Sequence, residues 1–379
     1  MNITKMISRS KKIGVIGTAA MVVSLVAPLT LSGTPSGAAT SPGSWCGPKH
    51  ASVALADGFG NNTWREITRY AGAETALSCK SVTKFVYTNG QGNTQKAISD
   101  INGLVSQGIN AIVDFPDAGK AMLPALTKAY HAGTIVVPYR VSPGGKKGVN
   151  YTAYVGTNFV SAGVEWANFV AAELGSSGGN VAFLSGPPGN SQGLEELQGM
   201  NSVLKNDPNI KLVGTAPFNV TNWDPATTVT VIDGLLSQYT GANAIKAIIS
   251  DYGSALAGAF PEWAKAGQQI PVIATEDGNN VACAFKADVT SDPGFKLMTV
   301  SSQNWMVEYA IRYAVAKATG GKVPTTTVPQ TTYENSVNPT GGEIAPNCQP
   351  SLPPTAINSS GLTNAQQKAA LAGKVPQRK

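Results

Sequence analysis

The stretch Phe85–Arg140 constrains the fold more than any other part of this 379-residue chain. It holds three short apolar runs, FVYT, AIVDF and TIVVPY, separated by two segments with helical spacing. Strand, helix, strand, helix, strand is the rhythm of a parallel sheet with crossover helices. The strands are Val/Ile/Ala runs without alternation, as expected when helices cover both faces of a sheet. In such sheets, ligands bind in the crevice beyond the carboxyl ends of the strands. Those ends are polar or charged here: Asn89-Gly90-Gln91, Asp114-Phe115-Pro116-Asp117 and Tyr139-Arg140.

The same rhythm runs twice. About 310 residues lie between an apolar leader and a Pro-, Asn- and Gln-rich tail, more than one core comfortably holds. In the first half, ASVALAD, KFVYT, AIVDF and TIVVPY alternate with helices expected near 62–78, 92–107 and 120–132. After the polar stretch Ser142–Asn150, the second half opens with YTAYVGT and continues through NVAFLSG, KLVGTAPF, AIKAIIS, PVIATED and MTVSS, again with helical segments between. The expected fold class is α/β: two similar open parallel-sheet lobes with a ligand cleft between them. Such a cleft closes on a small ligand, but the architecture does not decide between binding and catalysis.

The ends carry their own signals. Residues 1–39 read as a signal peptide: Lys5, Arg9, Lys11 and Lys12, then the apolar IGVIGTAAMVVSLVAPLTL, then the small-residue exit Ser36-Gly37-Ala38-Ala39. The chain is therefore expected to be exported, to the periplasm, cell envelope or exterior. Cys46 follows Pro-Gly-Ser-Trp instead of a short apolar run, so a lipoprotein is not expected. Removing those four bases from 28 leaves 24 against 22 acids, and more basic residues sit after Pro350, so the globular part is near neutral. There is no electrostatic case for nucleic acid. The basic stretch 350–379 is expected to be a disordered, solvated tail.

Four cysteines in an exported chain imply two disulfides, with three connectivities open. Cys46 precedes the first strand and Cys79 the second, at the same edge of a parallel sheet. Cys46–Cys79 is thus favoured, which leaves Cys283–Cys348. The spacing fits no zinc motif and only His50 and His131 are available, so neither a metal site nor a cofactor is expected.

Catalytic patterns fail on chain order and geometry. Gly189-Asn190-Ser191-Gln192-Gly193 matches a nucleophile elbow, yet both histidines precede Ser191, the reverse of the hydrolase order. Asn190 and Ser191 read better as helix-capping residues. Glu195 and Glu196 are adjacent on a helix and do not converge on one bond. No enzyme activity is expected, a sugar hydrolase being the weakest alternative. The stronger signal is polar and aromatic residues at strand ends: Asn62, Trp64, Tyr139-Arg140, Trp223, Asp251-Tyr252, Glu276-Asp277 and Gln303. Aromatic faces stack on sugar C–H surfaces, while carboxylates, amides and arginine hydrogen-bond hydroxyls.

Over about residues 50–335 the chain resembles the type I periplasmic binding proteins of sugar ABC transporters, close to the ribose/galactose group. The resemblance rests on NNTWREITRYAGAETA, ALTKAYHAGTIVVPYR, YVGTNFVSAGVEWANFVA, SDYGSALAGAF, ATEDGN and SSQNWMVEYAIRYA. It implies ligand contacts by Trp64, Arg65, Arg140, Trp223, Asp277 and Gln303. It also implies an N-terminal lobe of residues 40–150 and 303–332 and a C-terminal lobe of 151–302 and 333–349. Three positions depart from the family pattern: Tyr139 replaces an Asp before Arg140, Glu196 replaces a pocket Arg, and Ser250 replaces an Asn before Asp251. Glu196 is expected to read a different hydroxyl pattern or to pair with a cationic group. The implied function is a monomeric solute-binding protein that delivers a sugar-like ligand to an ABC permease. The alternative is an envelope sensor signalling to a membrane receptor.

Overall fold

The structure is a computed structural model that describes residues 44–60 and 62–377; the expected signal peptide at 1–39 lies outside them. Strands β1 (Ala51–Asp57), β2 (Val82–Asn89), β3 (Ala111–Phe115) and β4 (Ile135–Pro138) form a four-stranded sheet in the order β2-β1-β3-β4. All of its pairings are parallel, with Val53 opposite both Phe85 and Ala111. Helices α1 (Thr63–Ser78), α2 (Thr94–Ser106) and α3 (Leu123–His131) make the crossovers. Asn62 and Asn93 start the first two, each side-chain oxygen accepting a first-turn backbone amide.

The second sheet has seven strands: β5 (Gly179–Ser185), β6 (Ile210–Val213), β7 (Asn219–Val220), β8 (Ile245–Ser250), β9 (Val272–Glu276), β10 (Leu297–Val300) and β11 (Thr332–Asn335). Its order is β11-β10-β9-β8-β5-β6, with β7 also paired to β5, and only β11 runs antiparallel. Helices α4 (Phe159–Leu174), α5 (Ser191–Leu204), α6 (Pro225–Gln238), α7 (Gly253–Gly258), α8 (Pro261–Lys265) and α9 (Asn279–Asp288) cover its two faces. The single helix expected over ALAGAFPEWAKAG is split at Pro261, whose ring cannot continue a helical ladder. Helices α4 and α5 approach backbone to backbone. A Cβ on Gly163 would lie 1.9 Å from the Glu196 carbonyl oxygen, so glycine there lets α5 seat Glu196 beneath the sheet end.

The expected strand YTAYVGT is instead a crossing between the lobes. Tyr139 bridges Val155 and Gly156 bridges Thr327; Gly156 N donates to the Thr326 carbonyl at 3.1 Å. The chain crosses again at Ser301–Gln303, where Ser301 N donates to the Thr331 carbonyl at 2.9 Å. It then enters α10 (Met306–Thr319), which packs on α1 and the first sheet before the chain returns to β11. Three adjacent crossings are the hinge arrangement of a two-lobed α/β protein.

Disulfides join Cys46 to Cys79 and Cys283 to Cys348, with Cα separations of 5.4 and 4.4 Å. The expected disordered tail is a correction. Residues 344–359 fold over α9, with Asn279 N donating to the Ala356 carbonyl at 2.8 Å and its side-chain amide to the Gln349 carbonyl at 3.0 Å. Helix α11 (Asn364–Leu371) then docks on α1: Gln366 Nε2 donates to both Glu74 oxygens at 2.7 and 2.8 Å. Ile357 and Ala370 are buried in the first lobe's core. Charge count alone misjudged a segment whose Ile357, Leu362, Ala370 and Leu371 reach that core, and whose Thr363 and Gln366 form a capping box. Replacing Ile357, 2% exposed, with Ala is expected to cost about 2–4 kcal/mol in urea unfolding. A solvated tail would show no change.

Candidate ligand-binding cleft

The carboxyl ends of both sheets face one another across a cleft of about 280 Å³. Its walls are Asn62, Trp64, Arg65, Phe115, Arg140, Gln192, Trp223, Asp251, Tyr252 and Glu276. Side chains fill most of the centre. Only about 20 Å³ admits the centre of a water molecule, room for roughly one water. A sugar-sized molecule therefore enters only if the walls part.

Asn62 does two jobs at the start of α1. Its Oδ1 accepts from Arg65 N at 3.0 Å, and its Nδ2 donates across the cleft to the Trp223 carbonyl at 3.1 Å. The cap turns Arg65 inward, where Nη2 meets Asp117 at 2.6 Å and Nη1 meets Asp57 at 3.2 Å. Its guanidinium lies 3.5 Å from the Phe115 ring centre. Burial opposes the Arg65 charge, but Asp117 and Asp57 outweigh it and its pKa is raised. Burial also pushes Asp117 up to about 7, with Arg65 pulling back and Asp57 pushing further. Asp114 is held well above the usual range by burial, then by Asp117 and Asp57.

Arg140 organises the opposite wall. Its Nη2 pairs with Glu276, Nε donates to Gln192 Oε1 at 3.0 Å, and Nη1 donates to the Ser302 carbonyl at 2.9 Å. The guanidinium sits 5.0 Å from the Trp64 ring centre and 5.4 Å from that of Phe159. Gln192 Nε2 donates onward to Glu196 at 3.1 Å and Glu276 at 3.3 Å. Burial raises Glu276 to about 8 although Arg140 opposes it. Burial raises Asp251 to about 6 against a 2.6 Å hydrogen bond from Ser185. Glu196 is pushed well above its usual range by burial, with Asp251 and Glu276 adding to the effect. The Trp223 indole lies over Gly186, where any Cβ would meet the ring at 2.2 Å.

Six of the expected contact residues line this cleft: Asn62, Trp64, Arg65, Arg140, Trp223 and Asp251. Glu196 lies one layer behind, on Gln192. Three do not line it. Tyr139 is fully buried, edge-on to Phe115 at 5.3 Å, because the residue before Arg140 on the strand end points into the first lobe. Asp277 is consumed as a strut: Oδ1 accepts from Ser302 N at 2.7 Å and Ser359 Oγ at 2.6 Å, and Oδ2 from Ser359 N at 2.8 Å. Gln303 donates to the Pro329 carbonyl at 2.7 Å. The strand-end acid that faces the cleft is Glu276, its neighbour. Tyr252, one of the strand-end residues noted in the sequence, also lines the walls, and Gln192 and Phe115 complete them without having been singled out as contacts, though Phe115 stands at a strand end and Gln192 opens α5. The elbow-like Ser191 accepts from Ser142 N at 2.7 Å, and Asn190 caps α5, its Oδ1 accepting from Gly193 N at 2.8 Å.

The family described as periplasmic binding protein domain matches residues 54–322. The chain belongs to that family. Two curated relatives are the D-allose-binding periplasmic protein of Escherichia coli and the xylitol-binding protein of Mycolicibacterium smegmatis. The first is 30% identical over 127 residues, covering 34% of this chain and 40% of that protein. The second is 24% identical over 251 residues, covering 65% of this chain and 66% of that protein. The chain thus spans less than two thirds of the length of these relatives. The crystal structure of the Caulobacter myo-inositol binding protein bound to myo-inositol shares the fold. Its TM-score is 0.65 at 20% identity, covering 75% of this chain and 94% of that one. In this family the fold is the type I arrangement, two α/β lobes joined at a hinge.

The raised carboxyls set a pH dependence. Asp117, Asp251 and Glu276 keep their protons up to about 7, 6 and 8 when folded, against 3.8, 3.8 and 4.5 ordinarily. The folded state thus binds more protons across that window, and stability falls as pH rises from about 4 to about 8. Urea midpoints of ligand-free protein are expected to be higher at pH 5 than at pH 8; a rising profile would show these acids charged throughout. Glu276→Ala, which strands Arg140 in the interior, should cost about 3–5 kcal/mol by the same measurement.

Proposed function

We propose that this is an exported solute-binding protein that captures a sugar or sugar-like polyol between its lobes and delivers it to an ABC permease. The observation that carries the reading is the composition of the cleft. Trp64, Phe115, Trp223 and Tyr252 supply aromatic surface for a C–H face, while Asn62, Arg140, Gln192, Asp251 and Glu276 supply fixed polar atoms for hydroxyls. The family membership supports it, as do relatives known as allose-, xylitol- and myo-inositol-binding proteins.

The chemistry is recognition coupled to motion, with no bond made or broken. A ligand that touches both walls favours the closed arrangement over the open one, and closure presents a joint surface of the two lobes to the permease. The cleft supplies two guanidiniums, each already balanced by acids, so a polyol can exchange hydroxyl contacts for side-chain ones without stranding a charge.

Calorimetry against a panel of monosaccharides and polyols is expected to find a ligand. Trp223→Ala and Asn62→Ala should each weaken it by about 1–3 kcal/mol. An affinity indifferent to both substitutions would place the ligand elsewhere. Deleting the gene should abolish uptake of that ligand; intact uptake with lost induction would mark a sensor instead.

A further inference from the structure

We infer that the ligand of this cleft carries a primary ammonium group on its sugar or polyol frame, an inference that rests on the sugar-binding reading above. The donors and acceptors of the second wall do not balance without one. Glu196, Asp251 and Glu276 surround a single guanidinium, that of Arg140. Arg140 spends its three nitrogens on Glu276, Gln192 and the Ser302 carbonyl, so it reaches only one of the three carboxyl groups. Glu196 Oε2 meets no donor, although the residue is 0% exposed, while Asp251 accepts from Ser185 and stands within reach of the Trp223 indole. A buried acceptor left without a donor is costly, and a buried carboxylate more so.

The first wall repeats the ratio. Arg65 faces Asp57, Asp114 and Asp117, and Asp114 Oδ2 also lacks a donor. Six carboxyl groups thus share two guanidiniums, and no lysine lines the cleft. A sugar hydroxyl brings one donor and no charge, whereas an ammonium brings three donors and a positive charge. The same atom can satisfy Asp251, which lines the cleft, and reach toward Glu196 through the position Gln192 now holds. Burial, then Asp251 and Glu276, hold the Glu196 pKa well above its usual range, although Arg140 opposes them.

Calorimetry on matched triplets tests this: glucosamine, galactosamine and mannosamine, each against its parent hexose and its N-acetyl derivative. At least one amine is expected to bind about tenfold or more tighter than both neutral counterparts, as a charge-assisted contact requires. In Glu196→Gln the ratio should collapse, with a thermal melt confirming the fold; Asp251→Asn gives the same readout if that variant does not fold. Neutral sugars binding as tightly as their amines would overturn the ammonium inference and leave the sugar reading standing. Binding of none of the nine would overturn the ammonium inference; the sugar reading falls only if the wider panel of monosaccharides and polyols also fails to bind. A preference that survives both substitutions would remove these carboxyls from the assignment.

Discussion

One buried guanidinium holds the cleft together. Arg140 leaves the end of β4 in the first lobe, at the first crossing, and its side chain ends on Glu276 of the second lobe and on the Ser302 carbonyl of the second crossing. Its backbone is left-handed, with φ of 63°, a conformation costing a non-glycine residue about 1 kcal/mol or more. That cost is met because the turn aims the side chain between the Trp64 and Phe159 rings. Trp223 and Gln303 adopt the same unusual conformation at the other wall and at the second crossing. Three of the five non-glycine residues with positive φ among the described residues thus stand at the cleft walls or a crossing.

Most of the fold was legible because burial on both faces forces a simple code. Continuous apolar runs such as AIVDF and AIKAIIS can only be inner strands, and both are. One helix start was equally plain, since Asn190 sits where a first-turn amide needs an acceptor; the caps Asn62 and Asn93 emerge only from the structure. YTAYVGT defeated the reading for a physical reason: it has strand composition, but it touches the end of β4, Lys147 and one other crossing at single residues, so it makes isolated bridges and no ladder. The tail defeated it because basic charge counts describe solvation, whereas Ile357 and Ala370 report on a core supplied by a segment three hundred residues away.

The site was half legible. Strand ends pointed to the crevice between the two sheets, and Asn62, Trp64, Arg65, Arg140, Trp223 and Asp251 line it. What sequence position does not show is which of two adjacent acids turns inward. Glu276 is the last residue of β9 and faces the cleft, while Asp277 lies past the strand and is claimed by backbone amides from two other segments. Alternation along a strand resolves such a choice only when the strand's last residue is known, and element ends are the least certain part of any sequence reading. Gln192 was hidden differently, as one letter in a catalytic pattern that the chain does not use.

The three crossings are not the only path between the lobes. Ser359 is hydrogen-bonded to Asp277 at the edge of the second lobe, and Gln366 grips Glu74 on α1 of the first. The short stretch between them, Ser360–Ala365, is consequently a tether in parallel with the hinge. Any rotation that changes the distance from Asp277 to Glu74 has to be taken up by the slack in those few residues or by letting go of one anchor. The opening angle of this protein is thus written partly in its last thirty residues, outside the two sheets that do the holding.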